Sequence, residues 1–119
     1  MNQSYDASSS MSKKLRKMAG TYIKSCREGQ GLTQRDLAES LKLKYYTFIS
    51  QLENGHGRVP PHLYEPLAVA LRQDVKVFVM EMLKFYDPYT YKALNGSHPY
   101  NLMEPTNKVW TQEEGKNGC

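Results

Sequence analysis

Between positions 15 and 86, apolar residues return every three or four places, the period of a helix with one face in a core. Turn-forming residues interrupt that rhythm: Gly29 and Gly31, Asn54 and Gly55, Pro60 and Pro61, Asp87 and Pro88. A chain divided in this way folds into short helices that are marginal alone and stand only by packing on one another. Five are expected. The first carries Leu15, Met18, Tyr22, Ile23 and Cys26 on one face. The second lies in "LTQRDLAESL", with Thr33 as N-cap, Asp36 as its capping-box partner, and Leu37, Ala38 and Leu41 inward. The third runs from about Tyr45 to Glu53, with Phe48, Ile49 and Leu52 at helical spacing and Asn54-Gly55 as its left-handed stop. The fourth follows Pro60-Pro61 and turns Leu63, Leu67, Ala70 and Leu71 inward; Pro66 either bends it or marks where its regular part begins. Asp74 caps the fifth, "VKVFVMEMLKFY", whose stripe is Val75, Phe78, Val79, Met82 and Tyr86. Val77 and Met80 add apolar groups elsewhere around it, so this helix is expected to be covered on two sides. Its own core takes one, and either a second subunit or the chain's tail takes the other.

The fold class is therefore all-α, with one domain over residues 12–94. Residues 1–11 are polar and Ser-rich and read as a disordered tail. Residues 95–119, rich in Gly, Asn, Pro, Ser and Glu, read as a flexible C-terminal tail, with "PYTYKAL" adding a short turn before it. Over 119 residues, 16 Lys and Arg face 12 Asp and Glu, a formal net charge of +4. The excess gathers in Lys13, Lys14, Arg16 and Lys17, which suits either a solvated turn or a first helix leaning on phosphates. Cys26 and Cys119, one internal and one terminal, make no disulfide framework. No apolar run matches a membrane span or a signal-peptide core, so a cytoplasmic protein is expected.

A helix, a tight turn and a second helix exposed at its start make up the helix-turn-helix architecture. The segment 20–55, "GTYIKSCREGQGLTQRDLAESLKLKYYTFISQLENG", resembles the phage-repressor, or Xre-type, helix-turn-helix family. The resemblance rests on "GLTQ", "LAE" and "ISQLENG" and extends over about residues 15–72. It implies a lambda-repressor-like five-helix domain that binds double-stranded DNA as a transcriptional regulator, often as a homodimer. It also implies that Gln34 meets a backbone phosphate and that Arg27 and Glu53 form an internal ion pair. Two departures stand out. Lys42 occupies the turn where the family has glycine, and one extra residue separates "LAE" from "ISQLENG".

Counting back from Ile49, the helical period turns Tyr45, Tyr46, Thr47, Ser50, Gln51 and Asn54 outward. Tyr46, Thr47, Ser50 and Gln51 are the expected base contacts, because Gln51 can pair with adenine N6 and N7 while Thr47 or Tyr46 meets a thymine methyl or a phosphate. Gln34, Arg35, Lys44, Tyr45, Asn54 and Arg58 are the expected phosphate contacts, which position without specifying. Packing within the protein is the competing use for both tyrosines. The apolar stripe of the fifth helix, Val75, Phe78, Val79, Met82 and Tyr86, is the expected dimer interface. The leading functional expectation is a repressor that binds a two-fold operator as a homodimer. The rival is a protein-interaction module of the same fold, an antitoxin or adaptor, working through the fifth helix. His56, His62 and His98 lack metal-ligand spacing and no phosphate loop follows a strand, so no enzyme, cofactor, metal or small-molecule ligand is expected.

Overall fold

The computed structural model describes residues 2–100, with side chains from Ser10 onward, so Cys119 and the expected tail after residue 100 lie outside the described residues. The described residues are all helical, and no strand forms among them. Helix α1 spans Asn2–Gly29, α2 Gln34–Ser40, α3 Thr47–Glu53, α4 Tyr64–Ala70, α5 Val75–Tyr86 and α6 Pro88–Asn95, with a 3₁₀ turn at Pro61–Leu63 before α4. The chain divides after Tyr86 into two compact units, the second beginning at Asp87. The expected domain end at residue 94 is thus displaced: "PYTYKAL" is not a turn closing the first unit but a helix opening the second.

Local signals account for most of these bounds. Thr33 Oγ1 accepts the Asp36 N–H and Asp36 Oδ2 accepts the Thr33 N–H, both at 2.9 Å, the reciprocal pair expected at the start of α2. Asp74 Oδ2 accepts the Val77 N–H at 3.0 Å and starts α5. Pro66 is the third residue of α4, inside the first turn, where an amide has no helical acceptor, so it neither bends nor breaks the helix. Helices α2 and α4 end alike. Leu43 N–H bonds Ala38 O and Lys42 N–H bonds Glu39 O; Gln73 N–H bonds Ala68 O and Arg72 N–H bonds Val69 O. These are two Schellman closures, and they hold Lys42 and Arg72 at φ +59°, a left-handed conformation that glycine would adopt without strain.

Two expectations for α1 need correction. The first is the disordered tail over residues 1–11: the helix already begins at Asn2, because its nucleus lies downstream and no Gly or Pro intervenes to stop propagation. The second is one position of the buried face, Met18. Leu15, Ala19, Ile23 and Arg27 are buried at four-residue spacing, Tyr22 and Cys26 are partly buried, and Met18 is 44% exposed. Helix α1 packs on α3 and α5, α2 on α3, and α4 on α5. The core joins Ile23, Leu37, Ile49, Leu52, Val59, Leu67, Leu71, Phe78 and Met82. At one point no side chain separates two backbones. A Cβ on Gly20 would collide with the carbonyls of Leu52 and Glu53, and one on Gly55 would lie 2.7 Å from Lys17 Cα.

Candidate functional site

Helix α3 is only seven residues long, and its burial is one-sided. Ile49, Leu52 and Glu53 are buried, Phe48 and Ser50 are half-buried, and Thr47, Gln51 and Asn54 are exposed. Tyr45 and Tyr46 do not belong to the helix, contrary to its expected start. Residues 41–46 form the link from α2, and Tyr46 is the N-cap residue, its carbonyl accepting the Ile49 and Ser50 N–H groups.

Beneath α3 sits a saturated ionic cluster. Arg27 Nε donates to Glu53 Oε2 at 2.6 Å, Arg27 Nη2 donates to Glu53 Oε1 at 3.0 Å, and Arg27 Nη1 donates to Leu32 O at 2.7 Å. Gln34 Nε2 donates to Glu53 Oε1 at 3.0 Å. The carboxylate is buried at the negative end of a helix dipole, and these donors compensate the water it has lost. The hydrogen bonds that Arg27 donates to Glu53 raise the Arg27 pKa above its ordinary value against the opposing effect of burial. The Arg27 pairing agrees with expectation. Gln34 differs, since one N–H of the amide expected at a phosphate is committed to Glu53.

The basic residues expected at phosphates are stacked on aromatic rings. The Arg35 guanidinium carbon lies 4.8 Å from the Tyr46 ring centroid, Lys44 Nζ 5.5 Å from that of Tyr45, and the Arg58 guanidinium carbon 4.8 Å from that of Tyr86. Tyr45 is 63% exposed and Tyr46 39%. Arg35, Lys44, Tyr45, Tyr46 and Thr47 line one open cleft of about 270 Å³ together with Glu39, while Gln51, Asn54 and Arg58 do not line it. None of these stacks is legible from helical period: two join residues far apart in the chain, and the third lies in the link outside any helix. The basic-aromatic pair Lys44-Tyr45 is the one adjacent in sequence.

The expected dimer interface is corrected most sharply. Phe78 and Met82 are completely buried in the core of their own unit, and Val75 and Tyr86 pack against that core. Val79 is half-buried. The Tyr86 hydroxyl accepts the Val59 N–H at 3.1 Å. The centre of the stripe expected to meet a second subunit, or in the rival reading a partner protein, is internal at Phe78 and Met82, while Val75, Val79 and Tyr86 keep partial exposure. Val77, outside it, is 52% exposed.

Among the described residues, no group of His, Cys, Asp and Glu is placed to hold a metal ion, and no helix is long and apolar enough to cross a membrane. No family model, curated protein or solved structure matches the chain.

Proposed function

We propose that α2, its link and α3 form a helix-turn-helix of the lambda-repressor-like kind, and that the chain is a sequence-specific double-stranded DNA-binding regulator, a repressor, with α3 in the major groove. The observation that carries this reading is the split across α3: an aliphatic ridge of Ile49 and Leu52 buried, and Thr47, Gln51 and Asn54 open beside exposed Arg35 and Lys44. Amide and hydroxyl groups on an open helix face suit base edges, and unneutralised cations beside them suit phosphates. The reading includes a homodimer on half-sites about 34 Å apart. Its contact must lie away from the Phe78 and Met82 face.

Selection of bound duplexes from random DNA, followed by binding across a salt series, tests the proposal. A preferred two-fold site and a steep negative salt slope are expected. Gln51→Ala should relax preference at one base pair per half-site by about 1–3 kcal/mol. Equal micromolar binding to every duplex, with Gln51→Ala silent, would reject the reading.

A further inference from the structure

Resting on the DNA-binding reading, we propose that Tyr46 is a positioning residue and not a base reader. Its ring holds Arg35 so that the guanidinium edge meets two adjacent acceptors on the nucleic acid, either two oxygens of a phosphate or O6 and N7 of a guanine. Both backbones are fixed before any ligand arrives. Arg35 is the second residue of α2, within the turn closed by the Thr33 and Asp36 capping box. Tyr46 is held by the first hydrogen bonds of α3. The 4.8 Å stack therefore ties the start of one helix to the start of the next.

A guanidinium stacked on a ring uses its face, while its five N–H groups lie in the plane and stay available. Among the described residues no carboxylate forms an ion pair with Arg35, although Glu39 lines the same cleft. The charge is thus held by the ring and left for a ligand. The face of the Tyr46 ring that meets Arg35 is occupied by the same contact and is not open to a base or a thymine methyl. Lys44 over Tyr45 is different in kind, because an ammonium contributes charge without a planar fork.

The test uses the full chain and the duplex obtained by selection, with Tyr46→Phe, Tyr46→Leu, Arg35→Lys and the Tyr46→Leu/Arg35→Lys double variant. Thermal melts establish that each variant is folded. Tyr46→Phe, which keeps the ring, should bind like wild type. Tyr46→Leu and Arg35→Lys should each weaken binding by about tenfold, and the double variant no further than the weaker single one. A loss that disappears when one guanine is replaced identifies the guanine edge, and an equal loss on all duplexes identifies phosphate. If Tyr46→Phe is as damaging as Tyr46→Leu, or if the double variant sums the single losses, the stack has no such role. A folded wild-type chain that prefers no duplex would remove the DNA reading itself, and this inference with it.

Discussion

Glu53 shows how one side chain constrains three segments. Its carboxylate is buried at the end of α3, and Arg27 from α1 and Gln34 from α2 converge on it. Arg27→Met leaves that charge stranded and should cost about 3–5 kcal/mol by urea denaturation. Adding Glu53→Leu should recover most of the loss, since an apolar pair of similar volume carries no desolvation penalty. The capping box of Thr33 and Asp36 was legible because its members are three residues apart, and the Arg27 pairing was legible only through resemblance. Gln34 was not legible, since nothing local says that its amide and the Arg27 guanidinium share one oxygen of Glu53. Lys42 marks the opposite case: a lysine in the turn has a plain backbone meaning. Held at φ +59°, it closes α2 where glycine fits more easily. Lys42→Gly should therefore raise stability by about 0.5–1 kcal/mol, the relief of left-handed strain less the extra chain entropy of glycine, and a lower urea midpoint would contradict this.

Among the elements, α5 was read from the sequence at its observed bounds, because Asp74 starts it and Asp87-Pro88 stops it. Helix α1 was not, since no residue in positions 2–14 declares a boundary and weak helix formers beside a strong helix follow it. At 28 residues it extends about 42 Å, and among the described side chains the first buried one is Leu15. Burial confers protection, so hydrogen exchange should be graded along this one helix. Amides from Ser10 to Lys14, whose side chains are exposed, should exchange well ahead of those around Ile23, as expected for a turn-by-turn opening from the N-terminal end. Uniform protection from residue 5 to residue 27 would mean that something covers the early turns. One position of the internal face of α1 was misread, because Met18 competes with Ala19 on apolarity. Ala19 prevails because α1 approaches α3 too closely for a long side chain.

For the first unit as a whole, Phe78 decides between a core and an interface. At an interface Phe78→Asp yields a folded monomer, whereas from a fully buried site it should abolish cooperative melting. Phe78→Ala should cost about 3–5 kcal/mol. Alkaline stability follows from the same packing. Burial pushes the Tyr22 phenol from 10.0 up to about 12, and burial also raises the Cys26 thiol. The unfolded chain loses these protons first, so the stabilisation is complete at neutral pH and is lost as pH rises from about 9 through about 12. Tyr22→Phe should flatten the decline above pH 10, read from melting temperature against pH. The abutment of Gly20 and Gly55 on bare main chain has a further consequence. Where helices meet through side chains, exchanging a leucine for a valine changes their separation; here the spacer is the peptide itself, which mutation does not resize. Drift elsewhere in the interior can pivot α3 about this fulcrum but cannot push it away from α1, so the standoff of its outer face is conserved through changes that would shift an ordinary helix.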